Sequence, residues 1–266
     1  MTRVLLHAGF HKTGTTSAQD FLDRNRALIA PHAVILLHPP LTSVAHWVRD
    51  YALIPDPRRL QVIAEEVTEA LAREPLQGRD LIISHEELCG PMPLGETAVA
   101  YPHAIPLLGT LIAALAGLGL TDLRLHFSLR DQAAWVDSVY SHQVRKQSKV
   151  RLTEDRDSFT ARLMACRLED QVKAIRAALP DAAVTTSDLA QAEGAFGPAQ
   201  PFVDFLRLPP EVTARLTPPR RLMVAPGREV LARMLELNRS DLADEALAAA
   251  KKALLQGGKQ AKGAAT

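Results

Sequence analysis

Residues 7–17, HAGFHKTGTTS, follow directly on the apolar run Val4-Leu5-Leu6. Two glycines, Gly9 and Gly14, allow tight curvature and the close approach of an anion to the backbone. Thr13 through Ser17 stand where a helix would begin, and there unsatisfied amides and the positive end of the helix dipole favour negative charge. Lys12 adds a full positive charge, and Thr15, Thr16 and Ser17 add hydroxyl donors. Together these residues describe a site for a terminal phosphate or sulfate. In the nucleoside-triphosphatase motif the lysine directly follows the second glycine. Here Lys12 lies two residues before Gly14, and Thr15 follows it.

The run HKTGTTS resembles the 5′-phosphosulfate loop of sulfotransferases that use 3′-phosphoadenosine 5′-phosphosulfate (PAPS), in which a strand leads through x-K-[ST]-G-T-T into a helix. A second family signature is an arginine at a later strand end, followed by a serine on the next helix. The stretch SLRDQAAWVDSVYSHQ supplies Arg130 and Ser138, eight residues apart as in the family. With Arg130 closing the strand and Ser138 two turns into the helix, both reach for one 3′-phosphate. The segment TTSDL resembles a third family segment, with Ser187 in the place of an aromatic residue. The similarity covers roughly residues 3–207 and is to the bacterial sulfotransferase-like branch. The C-terminal glycine-rich clamp of the cytosolic animal enzymes is missing. Arg220, Arg221 and Arg228 in PPRRLMVAPGR are the candidates to replace it.

The resemblance implies an α/β fold with a parallel sheet flanked by helices, of the P-loop NTPase-like sulfotransferase type. It implies transfer of a sulfuryl group from PAPS, as co-substrate, to a hydroxyl or amine of a carbohydrate, lipid or small molecule. His11, Lys12, Thr13, Gly14, Thr15, Thr16, Ser17, Arg130 and Ser138 are then the donor-binding residues. Lys12 holds the bridging or leaving oxygen, and no metal is called for. Two other readings stay open: a P-loop kinase of a small metabolite, and a non-catalytic nucleotide-binding member of the fold.

Transfer also needs a base for the acceptor's proton. The strand LIISH ends in His85, which resembles the strand-end catalytic histidine of cytosolic members. An unperturbed imidazole titrates near neutrality, as a general base should. Other branches use a glutamate, and Glu86 and Glu87 follow at once. The sequence puts His85 first as the base, with Glu86 or Glu87 as the alternative. His7 and His38 read as core or loop residues. Arg145, Lys146 and Lys149 read as a solvated basic face or a surface for an anionic acceptor.

The elements that must position these residues alternate. Strands are expected at RVLLHAG, AVILLH, DLIISHEEL, DLRLHFSLR and AAVTTSDL, with helices over 15–30, 58–74, 131–146 and 158–179. The run IPLLGTLIAALAGLGL reads as a buried helix. Alternating strands and helices imply a parallel sheet covered on both faces, whose ligands sit at the carboxyl ends of the strands. The glycine loop, His85 and Arg130 all fall at such ends. The proline-rich stretch 91–106 is either a cover for the acceptor or a packed connector, and residues 228–255 form one or two helices.

Composition bounds the rest. A chain of 266 residues suits a single domain, expected over 1–255, with a disordered tail at 256–266. Its 31 basic and 30 acidic residues give a net charge of +1, against a general nucleic-acid binder. Two cysteines without metal-binding spacing suggest reduced, buried thiols. No apolar run has the length of a membrane span, and no secretory leader is evident. A cytoplasmic protein is the expectation.

Overall fold

The computed structural model describes residues 2–146, 150–191, 194–220 and 225–263. Lys149 and Arg221, both singled out above, lie outside the described residues. The single domain expected over 1–255 is built as two compact units. The first comprises Met1–Asp131 and Cys166–Leu222, the second Gln132–Ala165 and Met223–Thr266.

In the first unit, β1 (Arg3–His7) leads through the glycine loop to α1 (Thr15–Arg24) and the single turn α2 (Arg26–Ile29). Next come β2 (Ala33–Leu36), α3 (Thr42–Leu53), α4 (Pro57–Ala72), β3 (Asp80–Ser84), α5 (Ala104–Gly117) and β4 (Asp122–Leu129). The second unit opens with α6 (Gln132–Arg145) and α7 (Arg156–Leu163). The chain returns to the first unit as α8 (Leu168–Ala178), β5 (Ala183–Asp188), α9 (Gln200–Leu206) and the turn α10 (Pro210–Thr213). It ends in the second unit with α11 (Arg228–Arg239) and α12 (Asp244–Gly263), so helical backbone runs into the segment expected to be a tail.

The five strands form one all-parallel sheet in the order β2-β3-β1-β4-β5. The fold class is therefore α/β, as the alternation of elements implied. β1 lies in the centre because its residues are apolar on both faces. Leu5 joins Ile35 and Ile82 beneath Phe21 and Leu22 of α1 and Phe202 and Phe205 of α9. Val4 and Leu6 alternate to the other face and are fully buried. α5 is buried through Leu107, Leu108, Leu111 and Leu115, as its apolar run predicts.

Two expected helices are each broken in two. The first stops at Asn25, whose side-chain amide donates to Phe21 O and Thr217 O, both at 2.9 Å, while its Oδ1 accepts from Thr217 N–H at 2.8 Å. A side chain that satisfies backbone groups this way competes with continued helix. The helix expected over 158–179 is interrupted after Leu163, and Cys166 in the break donates its thiol to Thr97 O at 3.0 Å. At the first break the apolar faces stay nearly in phase, from Leu22 to Ile29, whereas at the second the step from Leu163 to Leu168 turns about 140° round a helix. α3 was not anticipated at all, although Val44, Val48 and Tyr51 give it a buried stripe.

The second unit packs Trp135, Val136, Val139 and Tyr140 of α6 inward, with Tyr140 5.3 Å from the Phe159 ring. Lys251 of α12 is buried and donates to Val144 O and Lys146 O at 2.9 and 3.0 Å. That contact satisfies carbonyls at the end of α6, where a cation is also favoured by the helix dipole. Among the described residues no helix is long and apolar enough to cross a membrane.

Candidate functional site

The glycine loop folds around Phe10. Its ring lies between Phe127 and Tyr101, with centroids at 5.0 and 4.9 Å. Its carbonyl accepts from the Thr13 hydroxyl at 2.7 Å and more weakly from Thr15 at 3.5 Å. The loop then turns through two left-handed residues, Lys12 at φ 67° and Gly14 at φ 96°. A lysine in this region is strained by roughly 1–3 kcal/mol, and such strain gathers at functional sites. Gly9 is required by space: a Cβ there would lie 2.5 Å from Thr15 Oγ1 and 2.8 Å from the His7 ring.

The loop delivers the chain into α1, which has Gly14 at its N-cap, no side-chain cap and no acidic residue in its first turn. These are the conditions in which helix-terminal amides serve an external anion. Lys12 and Ser17 are half-buried and Thr16 is exposed at this end. Thr13 is fully buried and closes the loop. His11 is also buried. Its N–H donates to the Tyr101 hydroxyl at 2.9 Å, and that hydroxyl meets its Nδ1 at 3.2 Å, with the two rings stacked. His11 thus anchors the loop to Tyr101, the inward-turned residue of the proline-rich stretch.

The strand ends beside β1 bring further residues to this loop. Arg130, just past β4, donates from Nη1 to Lys12 O at 3.2 Å. Glu86 lies two residues past β3 in a short 3₁₀ turn, Glu86–Cys89. Burial raises its pKa above the usual carboxylate value, while the positive charge of Lys12 pulls it down and Glu87 pushes it up. Glu87 itself pairs with Arg49 of α3 at 3.0 Å. Lys12, Glu86 and Arg130 are therefore brought together from three different strand ends.

His85 stands at the start of the same turn. It caps the 3₁₀ turn, its Nδ1 accepting from the Glu87 N–H at 3.2 Å. With Nδ1 an acceptor, the neutral ring carries its proton on Nε2. Burial, then the nearby charges of His38 and Arg49, depress its pKa to about 4. The His38 ring lies 6.2 Å away, so His38 belongs to this neighbourhood too. Ser138 stands half-buried on α6 of the second unit. Arg220 closes on Asp20 of α1 at 2.5 Å, and Arg228 begins α11 in the second unit.

A cavity of about 420 Å³ opens beside the loop, reaching from Thr13 over the outer sheet face. His126 and Ser128 of β4, Ser187 and Asp188 of β5 and Gln200 of α9 line it. Its walls are polar for a sheet face, because His126 engages Thr185 Oγ1 at 2.9 Å and Ser187 Oγ at 3.1 Å. Phe10, Tyr101 and this polar face were not recognised from sequence. No spacing rule marks them, since each acts through a partner distant in the chain. No family model matches the chain, and no curated protein matches its sequence.

Proposed function

We propose that the protein is a PAPS-dependent sulfotransferase of the P-loop-like fold, moving a sulfuryl group to a hydroxyl or amine acceptor. The observation that carries the reading is the convergence of Lys12, Glu86 and Arg130 on one uncapped helix terminus at the carboxyl edge of a parallel sheet. The loop residues fit such a donor, since the first turn of α1 holds no competing carboxylate.

The donor, when bound, supplies an activated sulfuryl group on a phosphate leaving group. Lys12 and the amides opening α1 hold the negative charge of that leaving group, the role charge stabilisation plays in related phosphoryl transfers. Arg130 braces the loop through Lys12 O, and the 3′-phosphate is assigned to its guanidinium. Glu86 takes the acceptor's proton. A carboxylate whose pKa is raised by burial has an increased proton affinity, as a base needs. His85 positions the turn that carries Glu86, and its Nε2–H faces away from the cap as a donor. The nucleoside end of the donor is assigned to the cavity beside Thr13.

Calorimetric titration with 3′-phosphoadenosine 5′-phosphate (PAP), AMP and Mg-ATP tests this. PAP is expected to bind at least about tenfold more tightly than AMP, the scale of one charge-assisted hydrogen bond. Arg130→Ala should erase most of that preference, and Lys12→Ala should weaken PAP binding by about 1.5–3 kcal/mol. Equal affinities of the wild type for PAP and AMP would overturn the reading, and preference for Mg-ATP would favour a kinase.

A further inference from the structure

His7 ends β1 with its side chain fully buried between two strands. Its Nδ1 lies 2.8 Å from Ser84 Oγ, at the end of β3. Its Nε2 lies 3.2 Å from Ser128 Oγ, near the end of β4. Gln19 of α1 donates to Ser84 O at 3.1 Å and to Ser84 Oγ at 3.3 Å. A chain of hydrogen bonds thus runs Gln19, Ser84, His7, Ser128. In either neutral tautomer, His7 donates to one serine hydroxyl and accepts from the other. The ring also packs edge-on against Phe202 at 5.1 Å and beneath the Gly9 backbone.

The register gives this chain its meaning. Glu86 lies two residues past Ser84, Arg130 two residues past Ser128, and Lys12 five residues past His7. One imidazole therefore ties the three strand ends from which the candidate site residues depart. A buried, fully satisfied polar network of this kind specifies one arrangement where apolar packing tolerates several. A phenylalanine keeps an aromatic ring but offers packing alone, with neither hydrogen bond.

We propose that His7 is a positioning residue, which through Ser84 and Ser128 sets the spacing of Glu86 and Arg130 about the Lys12 loop. The proposal rests on the sulfotransferase reading for the identity of the ligand, and on the described hydrogen bonds for everything else.

The test uses His7→Phe, which keeps a ring and loses both hydrogen bonds, and His7→Gln, which retains a donor and an acceptor. Melting is followed for each, PAP affinity is measured by calorimetry, and the Glu86 carboxyl is titrated by NMR. His7→Phe is expected to fold and to bind PAP about tenfold more weakly, the scale of one or two hydrogen bonds. The Glu86 titration should shift toward an ordinary carboxyl, and His7→Gln should recover part of both. Adding Ser128→Ala to His7→Phe should cause no further loss. A folded His7→Phe with wild-type PAP affinity and an unmoved Glu86 titration overturns the proposal. If the wild type does not bind PAP, the sulfotransferase reading falls and the Glu86 titration alone decides for or against His7. If His7→Phe does not fold, the Ser84→Ala, Ser128→Ala double variant carries the same two outcomes.

Discussion

At the scale of single residues, neighbours in the chain divide the work. His85 and Glu86 are adjacent, and either suits a base by residue type. Their environments separate them. His85 spends Nδ1 on the backbone of its own turn and is held neutral, with a pKa depressed to about 4. Glu86 is shifted the other way, upward, against the pull of Lys12. The proposed reaction therefore predicts unequal losses. Glu86→Gln should lower turnover by roughly 10²–10⁴-fold with PAP affinity nearly unchanged, as expected for a positioned base. The acidic limb of the rate–pH profile should vanish with it. His85→Asn, which can still accept from the turn's backbone, should retain most of the rate. Steady-state kinetics with a verified acceptor checks this, and the reverse order would return the base to His85.

At the scale of elements, the strand–loop–helix passage from β1 to α1 is the unit that matters. It is held by ring packing at Phe10, by two hydroxyls on the Phe10 carbonyl, and by the absence of a side chain at Gly9. Gly9→Ala places a methyl against Thr15 and the His7 ring, both buried and neither able to yield cheaply. Overpacking of this kind costs typically about 1–3 kcal/mol. The variant should melt lower and lose anion affinity beyond what its lost stability explains, because the displaced loop carries Lys12. Differential scanning calorimetry paired with PAP titration measures both. A variant that melts lower yet binds PAP as the wild type does would show that the loop geometry is not set at Gly9.

At the scale of the whole molecule, the first unit carries an unusual load of neutral histidine in its sheet. His7, with a pKa lowered to about 3, and His126 and His85, each lowered to about 4, are depressed chiefly by burial. Unfolded, each would titrate near 6.5. As pH falls below that value the unfolded chain binds protons that the folded unit refuses, so stability is lost downward from about pH 6.5. At pH 5 the loss is on the order of 2 kcal/mol for each ring. Glu86 acts with the opposite sign, since a raised carboxyl removes stability as pH rises above its unfolded value near 4.5. Three rings outweigh one carboxyl, and the net expectation is acid lability. Trp47 lies in α3 of the first unit and Trp135 in α6 of the second, so each reports its own unit. The urea midpoint followed by Trp47 in a Trp135→Phe variant should fall between pH 7.5 and 5. An unchanged midpoint would show that these rings are not held neutral.

Much of this was present in the sequence. The parallel direction of the strands followed from short apolar runs alternating with amphipathic helices, because parallel strands need crossovers and crossovers need a covered face. The placement of the Lys12 loop, His85 and Arg130 at strand ends followed too, since it depends only on where apolar runs stop. The helix breaks at Asn25 and Cys166 did not follow. Each is decided by a hydrogen bond to a carbonyl far along the chain, at Thr217 and at Thr97. The orientation of side chains was likewise a tertiary matter. Nothing local to His11 points it at Tyr101, and nothing local to His7 selects Ser84 and Ser128, 77 and 121 residues away. Residue type and local spacing determine what a side chain is able to do. Only the packed sheet, by removing water and choosing partners, decides which nitrogen holds a proton and which carboxylate is raised.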